Sequence, residues 1–319
     1  MSLPAADREP LIETVQSIVA DGRDLETVAA NDVALGRLTS FVADLRHELL
    51  SGSGFAVVSG FPVDELSGPE IEAFFWAIGT HLGRPVSQSV MGERLGHVRD
   101  MTATDPNARA YRHNARLSPH SDPADLLAFL CIRPAARGGV SRFVSSLAIH
   151  DAIEQQRPDL LERLYNGFRY HRLGENRPGS SAITPHRVPV FSRAGDVISC
   201  RYVRQYIETA AHEDPDISLS DVDVEALDFF EALADDPAFH HEFTLTEGEA
   251  VFANNFTVLH ARSKFTNDAD REGRHLLRLW LAAEPGRPLV PNILHFDGEP
   301  GIPPIPGRTP SYESPIEVQ

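Results

Sequence analysis

Near the middle of the chain the sequence reads Ser118-Pro119-His120-Ser121-Asp122 and then enters the apolar run 126–132, Leu-Leu-Ala-Phe-Leu-Cys-Ile. Side chains on a strand alternate between its two faces, so a His and a carboxylate two residues apart at a strand end point to the same side. Both groups are metal ligands, and one more His would complete a facial triad of two His and one carboxylate. Such a triad leaves coordination positions open on a non-haem iron.

The composition sets limits on what this motif can mean. The chain has 319 residues, of which 42% are hydrophobic and 24% charged, so we expect a large folded core. Its formal net charge of -17 argues against nucleic acid or an anionic membrane surface as a partner, because both require clustered Lys and Arg. We therefore expect a small-molecule substrate. A homo-oligomer is compatible with this composition.

The location of the protein is predicted from its first residues and its cysteines. The N-terminal ten residues lack an apolar signal region, and no stretch approaches eighteen consecutive apolar residues. Cys131 and Cys200 both lie in apolar, strand-like runs, which predicts reduced, buried thiols and not a disulfide framework. We therefore expect a cytoplasmic protein.

The order of predicted elements indicates the fold class. Residues 1–50 show helical spacing, 54–60 form a short strand between glycines, and Ser67 with Glu70 makes a capping box for a helix that stops at Gly83. Short strands then follow, with helical inserts at 146–166 and 220–234. The predicted strands are 126–132, 140–144, 168–173, 188–191, 197–202, 241–245, 249–253, 257–261 and 275–283. This pattern predicts a mainly β protein with flanking helices (α+β), a jelly roll or barrel forming one domain over 1–319. Its core spans about 54–283, and a Pro/Gly-rich tail covers 284–319, either as an ordered wrap or as a loose end.

Two other stretches resemble the His-x-Asp motif, so the motif alone is weak evidence. His212-Glu213-Asp214 lies in an acidic, proline-bearing turn, and His240-His241-Glu242 lies at the edge of a strand. Only His120-Ser121-Asp122 enters a long apolar strand far upstream of a credible partner. That partner is His260, on the apolar strand 257–261. A His in such a place is by default a core residue.

Two arginines downstream of His260 favour a role for this residue in a binding site and not only in the core. Arg274 and Arg278 follow His260 by fourteen and eighteen residues, on a strand where period two places both on one face. Guanidinium groups pointing inward from an apolar strand are costly unless they meet anions. A dicarboxylate bound at the metal meets this need, because Arg holds a carboxylate with a bidentate fork.

On these residues the chain resembles the Fe(II)/2-oxoglutarate-dependent oxygenases of the taurine dioxygenase and clavaminate synthase type. The matching pieces lie between about Leu45 and Leu281. They are His120-Ser-Asp122, Gly138-Gly139-Val-Ser141, His260, Arg274 and Arg278, together with 54–60, 79–85 and Asn254-Asn255.

The resemblance implies a distorted double-stranded β-helix and a role for each matched residue. It implies His120, Asp122 and His260 as ligands of Fe(II). It implies Arg274 at the distal carboxylate of the co-substrate 2-oxoglutarate and Arg278 nearer the metal-chelating end. Ser141 stands where the family often has Thr. With O2 as the second co-substrate, the implied reaction is oxidative decarboxylation coupled to hydroxylation of a C–H bond, although desaturation and ring closure stay open.

The substrate is only broadly indicated. The irregular segment 84–119 is expected to form a pocket rim, because long polar segments without regular structure are usually functional or mobile. From this segment His97, Arg99 and Asn114 are candidate substrate residues, and Arg201 and Arg204 are candidates for binding a substrate carboxylate. The loop 174–182 has the Gly and Ser content of a lid. We expect a small polar substrate of amino-acid-like character.

Two other functions fit part of the pattern. A cupin-type metalloenzyme needs no 2-oxoglutarate, and it gives no reason for inward-facing Arg274 and Arg278. A non-enzymatic metal- or sugar-binding jelly roll would make His120 and His260 ordinary core residues.

Overall fold

The computed structural model of the chain describes residues 1–101, 112–268, 272–296 and 298–308. The helices are α1 (Ala5–Ala20), α2 (Leu38–Ser51), α3 (Gly68–Leu82), α4 (Ser146–Gln156), α5 (Pro158–Asn166), α6 (Arg204–Glu213) and α7 (Asp221–Asp235). The strands are β1 (Phe55–Val58), β2 (Arg84–Pro85), β3 (Leu95–Arg99), β4 (Leu117–His120), β5 (Leu126–Arg133), β6 (Arg137–Gly138), β7 (Ser141–Ser145), β8 (Phe191–Ala194), β9 (Val197–Cys200), β10 (His240–Phe243), β11 (Ala250–Asn254), β12 (Val258–Arg262), β13 (Phe265–Thr266) and β14 (His275–Ala282).

Two antiparallel sheets form the centre of the fold. The larger sheet has the order β1-β11-β5-β14-β2, with β3 also pairing with β14, and the smaller has the order β10-β7-β12-β4. Apolar side chains from both sheets, among them Cys131, Phe143 and Leu276, pack in one cluster. This arrangement of strands distant in sequence confirms the predicted jelly-roll class.

The N-terminal helices cover the outer face of the larger sheet. Ser67 donates both its backbone N–H and its hydroxyl to the Glu70 carboxylate, each at 2.7 Å, so the predicted capping box starts α3. Gly79 lets α3 approach β14 closely, because a Cβ there would lie 2.5 Å from Cδ1 of Leu279. The apolar faces of α1, α2 and α3 therefore join those of β5, β11 and β14 in one core cluster.

A second layer of helices lies beside the smaller sheet. Helices α4, α5 and α7 pack with the β8–β9 hairpin around Phe191, Phe230 and Leu259. The predicted strand 168–173 was wrong: this segment makes only isolated bridges, from Phe168 to Val188 and from His171 to Ile183. Its polar side chains bond to nearby loop backbone, which replaces a continuous strand ladder.

The Pro/Gly-rich tail is an ordered wrap as far as the structure describes it. The backbone N–H of Ile302 donates to Ser87 O at 3.0 Å, and that of Ile305 donates to Val90 O at 2.7 Å. Gly301 donates to Pro123 O, next to the His-x-Asp motif. The described part of the tail thus packs against the centre of the molecule. The tail was predicted to cover 284–319, and its residues 309–319 lie outside the described part. Within the described residues, no helix has the length and apolar character needed to cross a membrane.

Candidate metal centre

The three predicted ligands come together where β4 meets β12. His120 and His260 are directly paired across these strands, with ring centroids 4.2 Å apart. Asp122 follows just beyond the end of β4, and the potential ligand atoms of all three side chains lie within 4.8 Å of one another. The fold therefore brings His120 and Asp122 together with His260, which is distant from them in sequence, as one compact set of possible metal donors.

Hydrogen bonds fix the orientation of this donor set. His120 Nδ1 lies 2.8 Å from Ser118 O, which makes Nδ1 the donor and leaves Nε2 as the ligating nitrogen. Trp280 Nε1 donates to Asp122 Oδ2 at 2.8 Å, and the Asp122 backbone N–H donates to Asn255 Oδ1 at 3.2 Å. Such outer contacts orient metal ligands and tune their basicity.

The charge states of the donors suit a divalent cation. Burial, then the charge of His260, lowers the pKa of His120 to about 4, so its imidazole is neutral at neutral pH. Burial acts to raise the pKa of Asp122, but the charge of His260 and its hydrogen bond, then Arg278, bring it below its usual value. Two imidazoles and one carboxylate with open space beside them fit Fe(II).

A second acidic group containing His has similar spacing. His150, Asp151 and Glu154 on α4 also lie within metal-binding distance, but both carboxylates are exposed. Exposed carboxylate groups are commonly solvated without a metal, so this group is the weaker candidate.

A cavity with a basic wall adjoins the metal donors, and we call it the arginine pocket. It is lined by Val98, Leu117, His120, Phe129, Ser141, Phe143, His260, Ala261, Arg262, Arg274, Leu276 and Arg278. The predicted co-substrate residues Ser141, Arg274 and Arg278 thus share one cavity with the two histidines. Burial lowers the pKa of Arg274 to about 10, which reflects the cost of a guanidinium charge away from water. An anion in this pocket would offset that cost.

Gln88 orients one of these arginines. Its Oε1 accepts from Nε of Arg278 at 2.6 Å, and its Nε2 donates to the backbone oxygens of Arg94 and Arg278. The Arg278 guanidinium also lies over the Trp280 ring, 4.6 Å from its centroid. In the sequence Gln88 lies within the irregular segment 84–119, and no local pattern links it to a residue on β14.

Arg262 is a pocket residue that sequence reasoning missed. It follows His260 by two residues on β12, so period two would have placed it on the same face. Its Nη2 donates to the backbone oxygens of His113 and Ala115 at 2.6 Å each, which ties the segment before β4 to the pocket. Burial, then the charge of Arg274, lowers its pKa to about 9.

Two of the predicted substrate residues lie on the wrong face of the larger sheet. Val98 lines the arginine pocket, so strand alternation places His97 and Arg99 on the opposite face. There both contact His275, at 3.0 Å and 3.2 Å. An irregular segment was predicted over 84–119, so neither the strand β3 nor the face of it that meets the cavity was predicted from the sequence.

The other three substrate candidates have different surroundings. Arg204 forms ion pairs with Glu208 and with two carboxylates on α7. These contacts give Arg204 a structural role between α6 and α7. Asn114 accepts a backbone hydrogen bond from Phe265 and belongs to the segment held by Arg262. Arg201 is fully buried and donates to the backbone oxygen of Asp122, so it alone of the three contacts the metal donors' own segment.

The predicted lid loop is tied to the C-terminal tail. Arg308 Nη1 donates to Asn176 O at 2.9 Å, and Arg172 Nη1 donates to Ser181 O at 2.9 Å. The loop 174–182 therefore lies beside the tail, whose Gly301 donates to the backbone oxygen of Pro123, next to Asp122.

Comparison with known proteins gives the family. The model of the family "Taurine catabolism dioxygenase TauD, TfdA family" matches residues 21–280. The chain is 29% identical over 286 residues to FR-33289 synthase of Streptomyces rubellomurinus (strain ATCC 31215), covering 88% of this chain and 84% of that protein. It is 26% identical over 249 residues to the taurine hydroxylase-like protein SAT17 of Stachybotrys chartarum (strain CBS 109288 / IBT 7711), covering 74% and 62% of the two chains.

Solved structures show the same fold. Asparagine oxygenase in complex with Fe(II), 2S,3S-3-hydroxyasparagine and succinate matches with a TM-score of 0.64 at 16% identity, covering 88% of this chain and 93% of that one. The non-haem iron oxygenase OrfP in complex with Fe and alpha-ketoglutaric acid matches with a TM-score of 0.64 at 15% identity and the same coverage. The chain therefore belongs to the taurine catabolism dioxygenase TauD, TfdA family, and as a member it is an iron- and 2-oxoglutarate-dependent oxygenase.

Proposed function

We propose that this chain, acting as one catalytic domain over 1–319, hydroxylates a small, amino-acid-like substrate in a reaction coupled to oxidative decarboxylation of the co-substrate 2-oxoglutarate. His120, Asp122 and His260 hold Fe(II) in this proposal. The observation that carries it is the meeting of these donors with a buried basic wall in one cavity. When bound, iron with 2-oxoglutarate and O2 supplies the oxidising power for attack on a C–H bond.

The arginine pocket is proposed to bind the co-substrate. Arg274 binds the distal carboxylate of the 2-oxoglutarate molecule, while Arg278, oriented by Gln88, lies nearer its chelating end. Ser141 contributes a hydroxyl on the same cavity wall. A rigidly oriented guanidinium loses little conformational freedom on binding, which favours a fixed pose of the co-substrate.

Apolar side chains are proposed to keep water from the reacting groups. Val98, Phe129, Phe143 and Leu276 line the same cavity as the metal donors and the arginines. Exclusion of water strengthens each charge interaction inside the pocket and protects reactive species from side reactions. The loop 174–182 is proposed to act as the lid over the site.

The substrate class is supported by the similar structures. Asparagine oxygenase is bound to a hydroxyasparagine and OrfP to (3S)-hydroxy-L-Arg, both amino acids. We propose that the substrate of this chain shares the small size and polar groups of these molecules. A cytoplasmic location, without nucleic acid or membrane as partner, is proposed from the acidic composition and from two buried free thiols.

The test uses the co-substrate complex. Anaerobic addition of Fe(II) and 2-oxoglutarate is expected to give a weak visible charge-transfer band, and aerobic incubation is expected to give slow succinate release. Both signals should be absent in His120→Ala. The matched control is His212→Ala, which changes an exposed His in the similar stretch His212-Glu213-Asp214. This variant should keep the band.

A wild-type protein with no band and no succinate would contradict the proposal. If the band appears, amino acids and their derivatives can be screened for succinate release above the uncoupled background. Release raised by none of them would contradict the substrate class alone.

A further inference from the structure

Residues 298–308 of the C-terminal tail pack against segments that support the proposed metal donors, and we call them the C-terminal strap. Ile302 is 1% exposed and lies in one apolar cluster with Trp280, whose indole donates to Asp122. Ile305 packs against the same cluster. Apolar burial therefore holds the strap on the side of the molecule where the Asp122 carboxylate is supported.

The strap is hydrogen-bonded to the backbone on both sides of Gln88. The N–H of Ile302 donates to Ser87 O at 3.0 Å, and that of Ile305 donates to Val90 O at 2.7 Å. The backbone around Gln88 belongs to no helix or strand. Such a backbone depends on partners from other segments for its hydrogen bonds, so the strap helps to set where Gln88 lies.

Two glycines let the strap and this segment approach closely. Gly301 has a φ of +86°, and a Cβ there would lie 2.8 Å from Ser87 O and 3.0 Å from Val86 Cβ. On the facing segment, a Cβ at Gly92 would lie 3.1 Å from Pro304 Cβ. The two backbones therefore fit together without room for an added methyl group, which makes the contact specific and not only apolar.

Gln88 transmits the position of this segment to Arg278. It is 0% exposed, accepts from Arg278 Nε at 2.6 Å and donates to the Arg278 backbone oxygen at 2.9 Å. A Cβ on Gly96 would lie 2.5 Å from its Oε1, so the side chain is tightly packed against β3. A buried side chain held in this way moves with its backbone, because close packing leaves no space for another rotamer.

The strap also contacts the turn that follows Asp122. The N–H of Gly301 donates to Pro123 O, and Ala124 lies in the same apolar cluster as Ile302. Ala124 N in turn donates to the backbone oxygen of Asp122 at 2.8 Å. The strap therefore meets the turn beside the carboxylate as well as the segment that orients Arg278.

We propose that the C-terminal strap is a positioning element of the site. Its docking fixes Gln88, and through Gln88 the guanidinium of Arg278, in the orientation that binds the co-substrate 2-oxoglutarate. Because coupling between two sites is reciprocal, release of the strap weakens 2-oxoglutarate binding, and bound 2-oxoglutarate holds the strap in place. The identity of this ligand rests on the proposed function. A strap that only covered apolar surface would stabilise the fold without such coupling.

The first experiment displaces the strap in the full-length protein by Gly301→Ala, which puts a side chain at a positive φ and against Ser87 O. Binding of 2-oxoglutarate to the anaerobic Fe(II) protein is measured by calorimetry. The Kd should rise about fivefold or more, the lower end of typical coupling between two sites. Gly307→Ala is the matched control, since Gly307 has a φ of +75° in the same strap with open space around it, and this variant should leave the Kd unchanged.

Ile305→Ala is a milder variant that leaves the strap backbone without added strain. It removes a partly buried side chain from the apolar cluster and should raise the Kd about threefold. Leu50→Ala is the control for lost stability, because it removes a partly buried side chain that packs against the core of the N-terminal helices. It should lower the urea midpoint by a similar amount and leave the Kd unchanged.

The reciprocal effect is measured by hydrogen exchange in the wild-type Fe(II) protein. Saturating 2-oxoglutarate should slow exchange at the amides of Ile302 and Ile305, by about the factor by which Gly301→Ala raises the Kd. The amide of Gly22, which donates to Val19 O at the end of α1, serves as the control and should exchange at the same rate with and without ligand.

An unchanged Kd in both Gly301→Ala and Ile305→Ala would overturn the proposal. Equal rises in Kd for Ile305→Ala and Leu50→Ala would also overturn it, since the strap would then act only through global stability, and so would unchanged exchange at Ile302 and Ile305.

These readouts need no turnover, so they separate the strap from the oxygenase assignment. A wild type that binds 2-oxoglutarate but gives neither the visible band nor succinate contradicts that assignment alone, and the Kd and exchange values still decide the role of the strap. A wild type that binds no 2-oxoglutarate would overturn the co-substrate assignment and this inference together.

Discussion

The hydrogen bond from Trp280 to Asp122 offers a sharp test of the metal centre. Trp280 is 0% exposed, and its Nε1 donates to Asp122 Oδ2 at 2.8 Å. Replacement by Phe keeps an aromatic ring and removes this donor. The carboxylate then loses the contact that fixes its orientation toward the two histidines.

The expected size of the effect follows from the kind of bond. A hydrogen bond to a charged group contributes about 1.5–3 kcal/mol. Loss of a partner of a metal ligand typically weakens metal binding by about 10–100-fold, which corresponds to about 1.4–2.8 kcal/mol. We therefore expect Trp280→Phe to raise the Kd for Fe(II) by about 10–100-fold.

The chain supplies a matched control in its other tryptophan. Trp76 is 1% exposed, and its Nε1 also donates over 2.8 Å, but to the neutral backbone oxygen of Val28. Trp76→Phe removes the same atoms and a bond of the same length far from the donors. Both variants should lose unfolding free energy, on the order of 1–3 kcal/mol each.

The assay is an anaerobic Fe(II) titration at saturating 2-oxoglutarate, followed by the charge-transfer band, with urea unfolding measured in parallel. Only Trp280→Phe should change the Fe(II) affinity. If both variants lose similar stability and bind Fe(II) within twofold of wild type, the Trp280 contact does not support the metal site. That result would refute the reasoning.

Three further predictions concern the arginine pocket and the stability of the fold. Gln88→Leu should weaken apparent binding of the co-substrate, raising its KM about tenfold with little change in kcat, because Nε of Arg278 loses its 2.6 Å acceptor; steady-state succinate assays measure this. Gly138→Ala should lower the unfolding free energy in urea by more than about 2 kcal/mol, since φ is +72° and a Cβ would lie 2.1 Å from a backbone oxygen. The control Gly195→Ala, at φ +61° with open space, should lose only about 1 kcal/mol. His275, whose pKa is lowered mainly by burial to about 4, is neutral in the native state while the unfolded chain takes up a proton near pH 6.5. Stability should therefore fall as pH drops from 6.5 toward 4, and less steeply in His275→Phe; equal slopes would contradict this.

Parts of the proposed site were predictable because they depend on local rules. His120 and Asp122 share a face by strand alternation, and the same rule puts Arg274 and Arg278 together on β14. The start of α3 was equally local, since a capping box joins residues three apart. Strand alternation also places Arg262 on the same face as His260, so this residue could have been predicted from the sequence.

Other features depended on contacts between distant segments. Gln88 meets Arg278, and Trp280 meets Asp122, across separations of 190 and 158 residues. The same limit explains the misplacement of His97, because only the pairing with β14 makes residues 95–99 a strand and turns His97 away from the cavity.

By itself, the sequence determined the fold class, the residue types of the proposed iron ligands and the shared face of Arg274 and Arg278, since hydrophobic period and residue chemistry act over a few positions. Only the tertiary structure decided which side chains orient those groups and that the tail packs beside Gln88 and the turn after Asp122. Packing between distant segments is a property of the whole core, in which each contact depends on many others, so no local pattern encodes it.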